Sequence, residues 1–277
     1  MLTSVIIPVR DAAHQLLYTL FSLNLQFADF DQYEVIVLDN GSTDGLAEKL
    51  AGFTSHYSLQ VVRFRKRVPL SHLFHTGIQQ TKGNLLVFLA CNMIVPRQFI
   101  GVHQQAHERV PDMILLGLCT RRIYSVYDPQ FSASQHEECQ KWLEQNPHIK
   151  RPHTLVKTIP LLEESQIANG QFDPISLSCP IAQKRMSIKE KYGAKLERYR
   201  SPWTMFSTQH VSLQREHARK AGAFRLLPRM EMERDFAKRL LKNGCSFQFD
   251  EKLTLLKQER VIRKVSESQS RRKKRRA

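Results

Sequence analysis

Small and neutral side chains follow an apolar run at a point where an α/β protein carries chemistry. Residues 85–89, LLVFL, have the continuous apolar character of a buried parallel strand, and Ala90, Cys91 and Asn92 come directly after them. Ligands of open α/β sheets bind outside the carboxyl ends of the strands, so this strand end predicts a binding site. Asn92 offers a carbonyl oxygen to a cation or an amide hydrogen to an anion, but it offers no charge.

Acidic residues occur at two other places that suit chemistry. Asp39 follows the apolar run YEVIVL and opens the polar loop DNGSTDG, in which Gly41 can adopt an unusual backbone angle. Glu233 and Asp235 lie at the start of a helix predicted over residues 234–243. A carboxylate in such a position can act as a general base. Local roles are the alternative, because Asp39 could shape its loop as an Asx turn and Glu233 could cap the helix.

The segments that position these residues alternate between strand and helix. Strands are predicted at residues 3–9, 33–38, 59–64 and 85–89, and helices at 11–26, 46–50 and 70–81. Asp11 is the expected N-cap of the first helix, and the loop residues Ser42, Thr43 or Asp44 are expected to cap the second. A further strand at 113–118 and helices at 135–145 and 186–199 follow. Alternation of this kind predicts right-handed βαβ units and a mostly parallel sheet.

Length, charge and cysteine content limit the classes of function. The 277 residues, 42% of them hydrophobic, can bury a sizeable core. No apolar run approaches the roughly 20 residues that span a bilayer, and the start MLTSVIIPVR lacks the features of a signal peptide, so we expect a cytoplasmic protein. The five cysteines form no C-x-x-C pair, which favours reduced thiols over a disulfide framework or a zinc site. The net charge of +16 indicates an anionic partner.

Two segments in succession resemble a known family. The stretches SVIIPVRDAAHQLLYTLFSL and YEVIVLDNGSTDG are similar in type, order and separation to the SVIIPVYN and EVIVVDDGSTDG segments of family 2 glycosyltransferases, which have the GT-A fold. The resemblance runs from Ser4 to about Lys257. It implies that Pro8, Val9 and Asp39 hold the base and ribose of a nucleotide-sugar. A nucleobase requires an acceptor for its N–H group and an apolar wall, which Asp39 and Val9 could supply.

The metal motif of that family is degenerate in this chain. The usual form, FLDADD, contains an Asp-x-Asp pair at its third and fifth positions. Ala90 and Asn92 occupy these two positions here. A late histidine that binds the cation in family members corresponds to Lys257. These changes disfavour Mg²⁺ or Mn²⁺ as a cofactor, although Asn92 is still expected near the diphosphate. We hypothesise that the Lys257 ammonium, alone or with a neighbouring arginine, stabilises the departing diphosphate in place of the metal.

A segment between the third and fourth predicted strands matches the family in part. The stretch LFHTGIQQTKG resembles ARNxGIxxAKG, but Phe74 and His75 replace the Arg-Asn pair. His75 is therefore assigned to the nucleotide-sugar site by position, with the loss of a contact that the arginine would make. The upstream basic residues either compensate for that loss or form a solvated strand end; they are Arg63, Arg65, Lys66 and Arg67.

The resemblance returns after residue 201. The stretch EMERDFAKRL resembles WEDxDLxxRL and aligns Glu233 and Asp235 with the family's acids, while Met232 replaces the first acid. In inverting members the acid at the Glu233 position removes the proton of the acceptor hydroxyl as that oxygen attacks the anomeric carbon. The resemblance therefore implies that Glu233 and Asp235 are catalytic and that the sugar is transferred with inversion.

The predicted protein is a GT-A transferase with a mostly parallel, Rossmann-like sheet. Residues 1–110 form the nucleotide-sugar half, 111–260 the acceptor half with the catalytic base, and 261–277 a basic, disordered tail. The expected acceptor is a cell-surface glycan or a lipid-linked precursor, and the tail would bind acidic lipids at the inner membrane face. Two alternatives remain open. The changes at Ala90, Phe74 and Met232 favour a binding or scaffold protein without turnover, and charge alone would suggest nucleic-acid binding, although no aromatic platform accompanies it.

Overall fold

A central sheet with helices on both faces carries the fold. The computed structural model describes residues 1–170 and 172–261. The strands are β1 (Thr3–Val9), β2 (Tyr33–Asp39), β3 (Ser58–Arg63), β4 (Leu85–Leu89), β5 (Met93–Ile94), β6 (Met113–Ile123), β7 (Val126–Tyr127), β8 (Ile159–Pro160), β9 (Leu177–Ser178), β10 (His210–Gln214) and β11 (Ser246–Gln258). The helices are α1 (Ala13–Asn24), α2 (Leu46–Ala51), α3 (Leu70–Gln80), α4 (Phe99–Arg109), α5 (Ala133–Gln145), α6 (Glu164–Asn169), α7 (Pro180–Tyr192), α8 (Arg215–Ala221) and α9 (Arg229–Lys242). The predicted tail, 261–277, lies outside the described residues except for residue 261.

Strand order and direction bring several strand ends together. The sheet has the order β3-β2-β1-β4-β10-β6-β11-β5, with β9 beside β6, while β7 and β8 form a separate pair. Strands β1 to β4, β6 and β11 run in one direction, and β5, β9 and β10 run against them. The mostly parallel sheet predicted from the sequence is thus confirmed. Because parallel strands end at the same edge, β1, β2 and β4 deliver their carboxyl ends to one place.

Burial on both faces explains why the first strands are apolar throughout. In β1, Val5 and Ile7 pack in the core beneath α1 and α4, whereas Ile6 packs in the core beneath α3, α8 and α9. Gly77 lets α3 lie directly on the second face, because a Cβ there would fall 2.7 Å from Leu38 Cδ1 and 2.9 Å from Ile6 Cγ2. The sheet is therefore the middle layer of three.

The loops after β1 and β2 are hydrogen-bonded to each other, and their contacts correct two predicted N-caps. The N-cap of α1 is Ala12 rather than Asp11, and the Asp44 carboxylate accepts a hydrogen bond of 2.8 Å from the backbone N–H of Ala13. The N-cap of α2 is Gly45, with no side-chain hydrogen bond, so the predicted cap within residues 42–44 was wrong. Adjacent parallel strands place the two loops side by side, which lets Asp44 satisfy a free N–H group of α1 instead of its own helix.

Two further helices begin earlier than predicted, and each begins at a proline. Helix α7 starts at Pro180 instead of residue 186, and α9 starts after the N-cap Pro228 instead of at residue 234. Proline suits these positions because the first turn of a helix has no partner for the N–H group that proline lacks. As a result Glu233 and Asp235 lie inside α9, and neither caps it.

Residues 124–175 build a smaller core against α1. Trp142 and Tyr124 are its largest fully buried side chains, and the Trp142 indole N–H donates to the Ile175 carbonyl over 2.5 Å. The Tyr18 hydroxyl of α1 donates to the Leu162 carbonyl, which ties this region to α1. Among the described residues, no helix is both long and apolar enough to cross a membrane.

Candidate functional site

The carboxyl ends of β1, β2 and β4 form the floor of the candidate site. Val9 and Asp39 are neighbours in the register of β1 and β2. At the end of β4 the Ala90 N–H donates to the Gln209 carbonyl over 2.8 Å, which brings the segment before β10 to the same edge. The residues that the sequence placed at strand ends are therefore close in space.

Asp39 is buried and has one oxygen committed to its own loop. Its Oδ1 accepts a 2.8 Å hydrogen bond from the Ser42 N–H, which is the Asx turn that the local interpretation predicted. Its Oδ2 lies 3.4 Å from Nε of Arg63, whose side chain is largely exposed. The loop contact leaves Oδ2 with capacity to accept a hydrogen bond from a ligand. Val9 is buried beside Asp39, and Pro8 is half-buried.

Asn92 is held against the end of β11. Its side-chain amide donates to the Gln258 carbonyl over 2.6 Å, and its own carbonyl accepts from the Gln258 N–H over 2.8 Å. Lys257 pairs with Met93 in the adjoining register, so the positions of Asn92 and Lys257 are close, and their roles in donor binding stay predictions.

These residues do not suit a hard divalent cation. Mg²⁺ and Mn²⁺ prefer oxygen ligands, and a protein usually holds Mg²⁺ by one or two carboxylates together with waters and substrate phosphates. Ala90 supplies none, Asn92 supplies one neutral oxygen, and the Lys257 ammonium repels a cation. Within residues 1–170 and 172–261, no group of three or more His, Cys, Asp and Glu residues has the geometry of a metal site.

Arg260 is a cation at the strand ends, and it is the arginine near Lys257 that the sequence hypothesis left unspecified. One of its terminal nitrogens donates to the Arg10 carbonyl over 2.9 Å, and the other lies 3.3 Å from Cys91 Sγ. The guanidinium thus bridges the ends of β1 and β4 and is half-buried. In the sequence Arg260 lies three residues after Lys257, just past the end of the last strand. No spacing rule predicts from this position that its side chain reaches β1.

Lys257 lies in a neighbouring recess. It lines a cavity of about 340 Å³ together with Arg122, Cys179 and Glu259. A hydrogen bond with the Cys179 thiol, followed by burial, raises the pKa of Cys119, which therefore stays a neutral thiol beside Lys257. Lys257 and Arg260 together make this end of β11 cationic.

Glu233 is buried in the second turn of α9 and faces the segment that leads into β10. Its Oε1 accepts hydrogen bonds from the Thr208 N–H over 3.0 Å and from the Thr208 hydroxyl, and it pairs with Arg229 Nε at 3.1 Å. Since Gln209 binds Ala90, only one peptide unit separates the anchor of Glu233 from the contact at the end of β4. The structure therefore joins Glu233 to the strand ends.

A half-buried cation lies within electrostatic range of the same carboxylate. Burial lowers the pKa of Arg185 to about 10, and the charge of Glu233 acts in the opposite direction. Arg185 remains positively charged at neutral pH, and it donates to the Met205 carbonyl over 2.6 Å. The surroundings of Glu233 are consequently also cationic.

Asp235 lies apart from Glu233. Two residues along a helix correspond to about 200°, so the two carboxylates point in different directions. Asp235 binds Arg225 at 2.9 Å through Oδ1, and it binds Arg239 at 2.9 and 3.1 Å through Oδ2. These contacts place Asp235 in an ion-pair cluster that fixes the loop before α9.

The Phe74-His75 pair divides between the core and the surface. Phe74 is fully buried and packs edge to face on Phe88 at 5.4 Å between ring centroids. His75 is exposed on α3. The position that carries an arginine in the resembling family has thus become part of the core, and a role of His75 in nucleotide binding stays a prediction.

Comparison with known proteins identifies the family. A model described as Glycosyl transferase family 2 matches residues 4–164, which is more than half of the chain. An uncharacterized glycosyltransferase, YfnE, of Bacillus subtilis is 30% identical over 226 residues, covering 81% of this chain and 56% of that protein. A validoxylamine A glucosyltransferase of Streptomyces hygroscopicus is 27% identical over 227 residues, covering 80% of this chain and 47% of its own length. The chain belongs to glycosyl transferase family 2, and it spans about half the length of these curated relatives.

Solved structures show the same architecture. A mannosyltransferase of Pyrobaculum calidifontis, solved with GDP-Man and Mn²⁺, has a TM-score of 0.58 at 14% identity, covering 97% of this chain and 59% of the other. TarS residues 1–349 of S. aureus, solved with UDP-GlcNAc, has a TM-score of 0.59 at 13% identity, covering 95% of this chain and 60% of the other. At these identities the likeness is one of fold, and it confirms the GT-A architecture predicted from the sequence.

Proposed function

We propose that this chain is a glycosyltransferase that moves a sugar from a nucleotide-diphospho-sugar to a glycan or lipid-linked acceptor, with inversion and without a bound metal. One observation carries the proposal: the buried Glu233 carboxylate is anchored on Thr208, one peptide unit from the contact between Gln209 and Ala90 at the end of β4. A carboxylate is thereby fixed beside the strand ends, where an acceptor hydroxyl would approach a donor sugar. The halves 1–110 and 111–260 would supply the donor and acceptor sides.

The donor would lie across the ends of β1, β2 and β4. Asp39 Oδ2 would accept an N–H group of the base, and the half-buried Pro8 with Val9 would form the apolar wall. The diphosphate would lie toward Asn92 and Arg260. Arg260 is suited to this role because a guanidinium offers paired N–H groups to phosphate oxygens.

Transfer would proceed by a single displacement. As the acceptor hydroxyl oxygen attacks the anomeric carbon, Glu233 would take its proton on Oε2, while Oε1 stays bound to Thr208 and Arg229. The bond between the anomeric carbon and the diphosphate oxygen breaks at the same time, and the electron pair leaves with the nucleoside diphosphate. Arg260 and Lys257 would stabilise that developing charge in place of a metal.

Glu233→Gln tests the base. The amide keeps the shape but cannot take a proton, so we expect transfer to fall about 100-fold to 10,000-fold while donor affinity stays within about twofold. Glu231→Gln is the matched control, because Glu231 is exposed two residues earlier in the same helix. Equal activity of the two variants would remove Glu233 from the mechanism.

Chelation and substitution test the cationic site. We expect transfer to be unaffected by a chelator and Arg260→Ala to lower it at least about 100-fold, since one charged donor to a departing oxyanion is worth that much. A strict requirement for added Mg²⁺ or Mn²⁺ would contradict metal-independent transfer, and an active Arg260→Ala protein would contradict the role of Arg260.

A binding protein without turnover is the second candidate. It is favoured by the burial of Phe74 at a position that carries an arginine in the resembling family, and by the enclosure of Asp235 between Arg225 and Arg239. A panel of nucleoside diphosphates and their sugars in thermal-shift assays separates the two. Stabilisation by a donor with no transfer to any acceptor, in wild type and Glu233→Gln alike, would favour the binding protein.

A further inference from the structure

The loop between α8 and α9 holds apolar side chains in solvent. Residues 225–231 are all exposed, with Leu226 at 76%, Leu227 at 41% and Met230 at 61% exposure. Phe224 and Met232, on either side, are buried in the main core. The loop is thus anchored at both ends while it presents aliphatic groups outward, a pattern that marks an interaction surface.

Basic residues continue this surface along α9. Met230, Arg234, Lys238 and Lys242 follow one another at intervals of four, which places them on one side of the helix, and all four are exposed. Lys238 lies over the Trp203 ring at 5.4 Å from its centroid. The surface therefore combines aliphatic tips with a row of cations.

Ion pairs give the loop a defined shape. Arg225 binds Asp235 of α9 at 2.9 Å, which ties the loop to the helix on one side of Leu226 and Leu227. On the other side the loop continues directly into α9, whose first residue, Arg229, binds Glu233 at 3.1 Å. Ordering of the loop on binding would consequently cost little conformational entropy. The remaining exposed cations of α9 keep their positive charge available to a partner.

We propose that this surface docks on an anionic lipid bilayer, with Leu226, Leu227 and Met230 among the headgroups and Arg234, Lys238 and Lys242 against acidic lipids. Apolar side chains next to cations are the combination that binds proteins to the plane of a membrane. The exposed tips are aliphatic, whereas nucleic-acid binding relies on aromatic stacking. Met230 lies three residues before Glu233, so docking would bring that part of α9 to the membrane surface. The proposal requires neither transferase activity nor the C-terminal tail.

Co-sedimentation of the full chain with vesicles tests the proposal. The vesicles contain phosphatidylcholine with about one-third phosphatidylglycerol, and a second set contains phosphatidylcholine alone. We expect the wild-type protein to prefer the anionic vesicles and the variant L226S/L227S/M230S to lose at least about tenfold in partition coefficient. Thermal unfolding should not change, because these side chains are exposed in the folded protein.

Matched substitutions separate this loop from general stickiness and from the tail. Val110→Ser removes another exposed apolar side chain, at 42% exposure, from the far end of α4 and should leave binding unchanged, whereas Leu226→Ser alone should lower it about threefold. When residues 271–276 of the full chain are replaced by glutamine, Leu226→Ser should still lower vesicle binding by the same factor.

Several results would overturn the proposal. They are absence of wild-type binding to anionic vesicles, equal binding of the triple variant and wild type, or equal effects of Leu226→Ser and Val110→Ser. A change from dimer to monomer in the triple variant, without any vesicle binding, would assign the surface to a second copy of the chain instead.

Discussion

A buried histidine network should make the stability of this protein fall steeply between pH 6.5 and pH 5. His103 Nδ1 and His107 Nε2, both on α4, each lie 2.8 Å from the Ser212 hydroxyl of β10, and His103 Nε2 lies 3.1 Å from His210 Nε2. All four residues are almost fully buried. Their hydrogen bonds can be satisfied with every ring neutral, because each neutral ring has one donor and one acceptor.

Burial is the largest cause of the pKa shifts in this network. It lowers the pKa of His103 well below 6.5, with His210 and His107 adding to the effect. It lowers the pKa of His107 to about 4, helped by His217, and the pKa of His210 to about 3, helped by Arg185. These rings therefore stay neutral in the folded protein at pH values where they are protonated in the unfolded chain.

The magnitude follows from linkage. Above pH 6.5 both states are neutral and the full stability is present. Below pH 6.5 the unfolded chain binds three protons that the folded chain excludes, so stability is lost as the pH falls toward the folded pKa values. Each histidine contributes about 1.4 kcal/mol per pH unit, and the three together about 4 kcal/mol per pH unit. This loss is comparable with the whole stability of a typical domain, about 5–15 kcal/mol.

Urea unfolding at a series of pH values between 7.5 and 5 measures this slope. His210→Asn lowers stability at pH 7.5, but it should also reduce the slope by about 1.4 kcal/mol per pH unit, since one excluded proton is gone. His153→Asn, at an exposed position, is the control and should leave the slope unchanged. If His210→Asn and wild type showed the same slope, the network would not be the source of the pH dependence.

Four further substitutions test the packing and the site. Gly117→Ala should destabilise the fold by at least about 3 kcal/mol in urea unfolding, because its Cβ would fall 1.6 Å from His210 Nδ1, whereas Gly101→Ala in α4 meets no atom within 4 Å and should stabilise by up to about 1 kcal/mol. Asp39→Asn keeps an acceptor for the Ser42 N–H but loses its charge, so titration calorimetry should show at least about tenfold weaker binding of the preferred nucleoside diphosphate. Unchanged binding would mean that Asp39 only shapes its loop. Asp235→Asn should lower the free energy of unfolding by about 1–3 kcal/mol and should reduce the transfer rate by less than about tenfold. A 100-fold loss of transfer at an unchanged melting temperature would instead support a catalytic role of Asp235.

Local patterns were enough to predict the first half of the fold. The apolar runs of β1, β2 and β4 are buried on both sides, so their composition alone indicated a parallel sheet with covered faces. The match at Asp39 reflects a local need as well, namely a turn at a strand end. Such requirements involve residues that are close together in the chain, so the sequence pattern is enough to predict them.

Contacts between distant segments were not predictable in this way. Arg260 reaches the ends of β1 and β4 from the far end of the chain, and Asp44 caps α1 from the loop after the neighbouring strand. The division of Glu233 and Asp235 between the strand ends and an ion-pair cluster depends on where α9 begins. The sequence by itself determined the family, the sheet and the strand ends that hold the candidate site, because these follow from local burial patterns and motif order. Only the tertiary structure decided which charges meet there, because that depends on how remote segments pack.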